Sequence, residues 1–406
     1  MTKTMRSSAE YLRATDFRLT ARQIMQAKNR PQTEPWEDWV TMALGVVTLF
    51  ALFWDGWLHN NSTEIDSFWS PAHIMMYAGL SALGAWIGVV FVKRQPKGKL
   101  NISLEAVPYG YGLALVALPL AALGGPGDFA WHAAYGFENQ VDAPFSPTHQ
   151  MLFLAGALLG GIGLASTWHR PGRILSLRAL WPAVISATAV LAMVSFTFMN
   201  LLPYFWTMIP TDDFQRNLLT FNDAYAPGSE AVHAQGLYDA AKNYSGDVFP
   251  YYLFANMASI GGVMIWTAAF VASVLYLRRR WVLPFGSITL MTALLSVLFP
   301  FFTRFQNLEF IGALIVTGLL VDALSRAMLS ADPPSRLRVR AFSAIVPLLV
   351  WGPWLLAIEL FSGGLGWNPT MWTGVLSTSM GVGYGISLIM FPPALPAVEP
   401  AAEEAV

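Results

Sequence analysis

The hydrophobic residues of the chain are gathered into long runs that are separated by polar loops. We predict membrane-spanning helices from these runs, because about 20 consecutive apolar residues are needed to cross the hydrocarbon core of a bilayer. The ten predicted spans cover residues 38–57, 71–93, 105–124, 147–168, 179–202, 249–276, 282–302, 307–326, 341–361 and 371–391. The pattern thus indicates an all-α, polytopic transmembrane helical bundle of about ten spans.

Three further regions flank or interrupt the membrane domain, which we place at residues 37–392. Residues 1–36 are predicted to be a partly helical cytoplasmic arm rather than a secretory signal, because they are charged and contain no early apolar core. Residues 203–248 form the longest predicted outer loop, and residues 393–406 a disordered cytoplasmic tail. We predict a single membrane domain and no separate soluble domain.

The positions of the basic residues predict the orientation of the spans. Of the 24 Lys and Arg residues, 21 lie in the N-terminal arm and in the loops after spans 2, 4, 6 and 8. Lys and Arg accumulate in the cytoplasmic loops of membrane proteins. We therefore expect both termini in the cytoplasm and the loops 58–70, 125–146 and 203–248 on the outer face.

Composition narrows the class of function. Of the 406 residues, 55% are hydrophobic and 12% are charged, whereas a soluble globular protein has about 25% charged residues. The composition excludes a soluble enzyme, and the net charge of −1 provides no basic excess for binding nucleic acid. The absence of Cys excludes disulfides, Cys-ligated zinc, iron–sulfur clusters and thiol chemistry.

Four of the six His residues fall into two similar segments. These are Asp55-Gly-Trp-Leu-His59 with Asp66-Ser-Phe-Trp-Ser-Pro-Ala-His73, and Asp128-Phe-Ala-Trp-His132 with Asp142-Ala-Pro-Phe-Ser-Pro-Thr-His149. Each segment has Asp and His four residues apart, followed by Asp, three residues, Ser-Pro, one residue and His. We interpret the segments as parts of two duplicated, parallel helical hairpins at about 38–93 and 105–168.

This spacing favours a metal site in each hairpin. Asp and His four residues apart lie on one face of a helix, and Ser-Pro-x-His is typical of a helix start with Ser as the N-cap. Closing the hairpin can then join one carboxylate and two imidazoles, a ligand set for copper, zinc or non-haem iron. The predicted metal ligands are Asp55, His59, His73, Asp128, His132 and His149. The alternative is a duplicated capping motif that binds no metal.

Other acidic residues are candidates to support these sites or the fold. Asp66 and Asp142 precede the second His of each segment by seven residues, and they either orient an imidazole or form turns. Glu309, near the outer end of span 8, is either part of an intramembrane pair or proton path or an interfacial charge. Asp322 and Arg326 have the spacing of a structural ion pair on one helix.

The two segments resemble the C subunit of the copper membrane monooxygenases, the family of particulate methane monooxygenase and ammonia monooxygenase. That family has an Asp-x-x-Trp-His segment followed by Asp-x-x-Phe-Thr-Pro-Ser-His-Ile, and this chain is similar to it over about residues 50–165. Two positions depart from the pattern, since Asp128 stands where the family usually has Asn and Leu58 stands where Trp is expected. The resemblance matches Asp55, His59 and His73 to the family's first copper site, and Asp128, His132 and His149 to its second.

The resemblance implies a metal-binding membrane protein, with copper as the cofactor and iron or zinc as alternatives. It implies a subunit of a monooxygenase-like complex that oxidises a small apolar substrate with dioxygen, although it assigns no catalytic residue. Further membrane subunits or copies of this chain are expected partners, because the family enzyme also needs A and B subunits. The alternatives are a membrane transporter or channel for metal ions and a non-catalytic structural subunit. We expect the protein in the lipid bilayer of a bacterial cytoplasmic (inner) membrane.

Overall fold

A computed structural model describes most of the membrane domain. The described residues are 30–61, 68–95, 106–136, 143–201, 248–301, 305, 308–361, 364–365 and 367–392. The predicted arm as far as residue 29, the outer loop from 203 to 247 and the tail 393–406 lie outside these residues. What the sequence predicts for those three segments therefore stays a prediction.

All regular elements in the described part of the chain are helices. In chain order they are α1 (Pro35–Asn61), α2 (Pro71–Val92), α3 (Ala114–Tyr135), α4 (Pro147–Gly160), α5 (Ile162–Trp168), α6 (Leu177–Thr197), α7 (Val248–Arg280), α8 (Ser287–Leu298), α9 (Glu309–Leu329), α10 (Arg336–Phe361) and α11 (Pro369–Met390). An isolated backbone bridge between Ile174 and Val282 is the only β-type pairing among these residues. The predicted all-α class is confirmed.

Nine helical stretches within the described ranges are long and apolar enough to cross a membrane, and α4 with α5 counts as one of them. The chain is therefore a polytopic, multi-pass membrane protein. The span predicted at 282–302 is shorter than expected, because α8 and the 3-10 turn after it cover only Ser287–Phe301. Fifteen residues rise about 23 Å, less than the hydrocarbon thickness of about 30 Å. Gly286, with a φ of 95°, keeps the preceding residues out of the helix.

The third span is displaced from its predicted position at 105–124. The observed helical stretch runs from Tyr111 to Tyr135, because Pro119 and Pro126 lie inside α3 rather than ending it. Proline is tolerated within membrane helices, where neighbouring groups satisfy the freed carbonyls. The displacement extends α3 beyond residue 124, so Asp128 and His132 lie in its last turns, on one helix as their spacing predicts.

The N-terminal helices form two hairpins, α1 with α2 and α3 with α4, and α6 packs against both of them. At Gly79 of α2, a side chain would come within 2.7 Å of the Thr48 hydroxyl, so glycine permits the close approach of α1 and α2. One hydrophobic core joins α2, α3, α4 and α5. A larger core joins α1, α4 and α6 to the C-terminal helices α7–α11.

The carboxylate of Asp322 in α9 accepts hydrogen bonds from a neighbouring helix and does not form the predicted ion pair with Arg326. Its carboxylate accepts hydrogen bonds from the backbone amides of Gly286, Ile288 and Thr289 at 3.0, 3.1 and 2.8 Å. The Thr289 hydroxyl also donates to it, at 2.7 Å. Asp322 therefore caps the N-terminus of α8 from another helix, which gives this membrane-buried charge a structural role.

Two buried acids at the start of α1 join both hairpins at one end of the bundle. Glu37 accepts hydrogen bonds from Lys93, at 3.1 Å, and from Arg94, just after α2. Asp38 accepts one from Arg170, just after α5, at 2.7 Å. The same end, called the basic end below, carries Lys93, Arg94, Arg170, Arg173 and Arg278–Arg280. The predicted metal ligands belong to the opposite ends of α1–α4.

Candidate metal centre

The first cluster consists of Asp55, His59 and His73. Asp55 and His59 lie one turn apart near the end of α1, and His73 lies in the first turn of α2. The Asp55 Oδ2 atom is 3.6 Å from His59 Nε2 and 3.3 Å from His73 Nε2. All three residues are buried. The hairpin thus brings together the three side chains that the sequence predicts as one ligand set.

The second cluster consists of Asp128, His132 and His149. Asp128 and His132 lie in the last two turns of α3, and His149 lies in the first turn of α4. The Asp128 Oδ1 atom is 3.0 Å from His149 Nε2 and 3.5 Å from His132 Nε2. Asp128 is fully buried, and the two imidazoles are nearly so. The second hairpin repeats the geometry of the first.

Both predicted helix starts are confirmed, and they place the second His of each cluster in the first turn of its helix. The Ser70 hydroxyl accepts a hydrogen bond from the His73 amide, and the Ser146 hydroxyl accepts one from the His149 amide, each at 3.2 Å. Proline follows each serine at the first helical position. Because proline has a fixed φ and no amide hydrogen, it suits that position. The caps hold each His at the end of its hairpin where the chain connects the two helices.

Three further residues fix the second cluster. The Tyr77 hydroxyl of α2 donates to Asp128 Oδ2 at 2.9 Å, and the Thr148 hydroxyl donates to Asp128 Oδ1 at 3.1 Å. The His132 Nδ1 atom lies 3.2 Å from the carbonyl oxygen of Gly136. A carbonyl oxygen only accepts hydrogen bonds, so Nδ1 is the donor in this contact and Nε2 is the ring nitrogen left to bind a metal. Sequence reasoning missed these three residues.

The two clusters are neighbours in space. The ring centroids of His73 and His132, one from each cluster, are 6.4 Å apart. Phe68 lies against both rings, stacked on His73 at 5.1 Å and tilted against His132 at 6.2 Å. Tyr77 adds a second connection, since it lies one turn after His73 and bonds to Asp128. Four imidazoles and two carboxylates therefore form one group, in which His149 alone is partly exposed.

The chemistry of this group suits divalent metal ions. In each cluster one atom from each of the three side chains lies within 4.8 Å of the other two. Two imidazole nitrogens with one carboxylate oxygen match the ligand preferences of copper, zinc and non-haem iron. Burying two carboxylates is costly unless positive charge compensates them, and a metal ion or a proton at each imidazole–carboxylate contact supplies that charge. The residues present therefore fit a metal.

The supporting acids predicted from the sequence have different locations. Asp66 and Asp142 lie outside the described residues. Glu309 begins α9, which packs against α8 and α10, whereas the side chains of both clusters come from α1–α4. The role predicted for Glu309 beside the metal ligands therefore stays a prediction. His169 stacks on Tyr109, with 4.3 Å between ring centroids, at the basic end.

An apolar cavity lies next to the clusters, between α1, α2, α4 and α6. Tyr77 and Phe153 line its cluster-facing end, where Tyr77 bonds to Asp128 and Phe153 stacks on His149 at 6.0 Å. Leu83 and Leu159 line it towards the basic end. The lining is almost entirely apolar, so the cavity suits a small apolar molecule, and Tyr77 and Phe153 lie between it and the clusters.

Comparison with protein-family models, with curated proteins and with solved structures finds no match to this chain. The geometry of the site is therefore the evidence that bears on function.

Proposed function

We propose that the protein binds copper at both clusters and is a subunit of a membrane complex that oxidises a small apolar substrate with dioxygen. The observation that carries the proposal is the repeated arrangement of one carboxylate and two imidazoles, buried at the same end of two adjacent hairpins. Iron and zinc have overlapping ligand preferences. Copper is favoured over them by the resemblance of the segments around the six ligands to the copper membrane monooxygenases.

Each cluster would hold one metal ion. Asp55, His59 and His73 would hold one metal ion, and Asp128, His132 and His149 a second. When bound there, copper supplies electron transfer and reactivity towards dioxygen. The surrounding helices keep water from the buried ligands, and the apolar cavity would receive the substrate from the bilayer.

The stoichiometry of such an oxidation indicates partners. Inserting one atom of dioxygen into a C–H bond and reducing the other to water consumes two electrons and two protons. The chain contains no Cys for an iron–sulfur cluster. The described residues form no β-sheet that could belong to a cupredoxin-like domain. A further subunit, or a soluble donor that docks on the complex, would have to deliver the electrons.

We also propose that the two hairpins arose by duplication and that the clusters face the outer side of a bacterial cytoplasmic membrane. Support for duplication extends beyond the ligands, because Arg94 and Arg170 each follow the second His of their hairpin by 21 residues. Each arginine also pairs with an acid at the start of α1. Basic loops collect on the cytoplasmic side, which would place the basic end inside and the clusters outside.

Metal analysis of purified protein tests the proposal. Wild-type protein is expected to retain about two copper ions per chain after dialysis, and replacing His59, His73, His132 and His149 with Ala is expected to abolish retention. His169→Ala is the matched control, because it removes an imidazole at the basic end. Copper retention that is unchanged in the fourfold variant would contradict the proposal. Metal flux through liposomes containing the protein would instead support a transporter.

A further inference from the structure

We infer that the two clusters are not equivalent, and that the second cluster fills first because the Tyr77 and Thr148 hydroxyls position its carboxylate. The inference rests on the proposed function, since it assumes that both clusters bind metal. It assigns Tyr77 and Thr148 as positioning residues, neither of which belongs to the predicted ligand set.

The carboxylate of Asp128 is restrained at both oxygens. Tyr77 donates to Oδ2 at 2.9 Å, and Thr148 donates to Oδ1 at 3.1 Å. Oδ1 is also the oxygen that faces His132 and His149. The carboxylate therefore already points one oxygen at both imidazoles while its other oxygen is held away from them.

The positions related to Tyr77 and Thr148 by the repeat, which would serve the first cluster, lack these hydroxyls. Thr148 immediately precedes His149, whereas Ala72 immediately precedes His73. Tyr77 follows His73 by four residues, whereas Phe153 follows His149 by four residues. An alanine and a phenylalanine cannot donate a side-chain hydrogen bond. The hydroxyls of Tyr77 and Thr148 therefore both donate to Asp128, and Tyr77 does so from the first hairpin.

Restraint of this kind raises metal affinity for two physical reasons. A buried carboxylate that is already hydrogen-bonded costs less to keep in place before the metal arrives. A ligand held in its binding orientation also loses less conformational freedom on coordination. Replacing groups that orient metal ligands typically lowers metal affinity about 10–100-fold. The second cluster should therefore bind the first equivalent of copper and the first cluster the second.

Competitive titration of the purified full-length protein against a chromophoric copper chelator tests the inference. Wild type is expected to show a tight and a weaker class of site. Tyr77→Phe and Thr148→Val are each expected to weaken the tight class about 10-fold and to leave the weaker class within about twofold. The reciprocal variant Ala72→Thr is expected to strengthen the weaker class. Tyr276→Phe, which removes a tyrosine hydroxyl near the basic end, is the control.

Electron paramagnetic resonance separates positioning from a general loss of structure. In protein loaded with one equivalent of Cu(II), Thr148→Val should change the spectrum of the bound ion, whereas a purely structural defect would lower the amount bound without changing it. Two sites of equal affinity, or a tight class that neither variant weakens, would overturn the inference while leaving the proposed function standing. Wild-type protein that binds no metal would contradict both.

Discussion

The imidazole rings of His73 and His132 lie 6.4 Å apart between centroids, although each belongs to a different cluster. The two residues come from different hairpins, and the hydrogen bond between Tyr77 and Asp128 also joins α2 and α3 at these ends. If both clusters hold copper, the two ions are close neighbours rather than independent sites.

This proximity predicts a magnetic interaction. Protein loaded with two equivalents of Cu(II) should show a broadened or diminished paramagnetic resonance signal per ion, because nearby unpaired spins couple. Loading with one equivalent should give a normal isolated signal. Two equivalents that give twice the isolated spectrum, unchanged in shape, would show that the ions are not held at these two clusters.

A second prediction concerns the ion pair between Arg170 and Asp38 at the basic end. Asp38 is 1% exposed and accepts hydrogen bonds from Arg170, Ser166 and Thr33. Removing one partner of a buried pair leaves an uncompensated charge, so Arg170→Ala should destabilise the protein by about 3 kcal/mol. Thermal unfolding in detergent measures the effect, and the double variant with Asp38→Asn should recover part of the loss.

Failure of the double variant to recover any stability would contradict this account. It would show that Arg170 acts through packing or through its bond to the Thr33 carbonyl rather than through the charge of Asp38.

The cap that Asp322 places on α8 gives a third prediction. Asp322→Ala removes the acceptor of three backbone amides and should destabilise the protein by about 2 kcal/mol, the upper range for loss of a helix cap. Arg326→Gln, one turn further along α9, should change the unfolding free energy by less than about 0.5 kcal/mol. Equal effects of the two variants would favour the ion pair expected from the sequence.

A fourth prediction concerns the pH dependence of a bridge between two loops at the basic end. Arg173 donates two hydrogen bonds of 2.7 Å to the carboxylate of Asp332, and these bonds hold the pKa of Asp332 below its ordinary value. A lowered folded-state pKa stabilises the protein above the ordinary carboxyl pKa, and this stability is lost as the pH falls through the lowered value.

The measurement is the difference in melting temperature between wild type and Asp332→Asn across a pH series. The difference should be constant above about pH 5 and should shrink as the pH falls below about 4, where the carboxylate begins to protonate. A difference that stays constant to about pH 3 would show that the bridge contributes no pH-dependent stability.

The sequence was sufficient to predict the fold class and the six clustered side chains. Long apolar runs predict membrane helices because the bilayer imposes a minimum length. The Ser-Pro-x-His spacing predicted both N-caps, because Ser70 and Ser146 act on amides only three residues away. Local patterns of this kind depend on neighbours in the sequence, which a single sequence displays.

The remaining features depend on contacts between distant parts of the chain. The span predicted at 105–124 ends too early, because α3 continues through Pro126 to Tyr135. The Tyr77 bond to Asp128 joins residues 51 positions apart on different hairpins. The Asp322 cap likewise serves the start of another helix, 33 to 36 residues away. None of these follows from periodicity or from a local motif.

The most direct test of metal binding at the two clusters is X-ray absorption spectroscopy at the copper edge on the loaded full-length protein. We predict coordination by nitrogen and oxygen only, with an average of two imidazoles per copper. His59→Ala and His132→Ala should each lower the copper content or the imidazole count, whereas His169→Ala should change neither. A spectrum with sulfur ligands, or without imidazole scattering, would contradict the assignment of the clusters as copper sites.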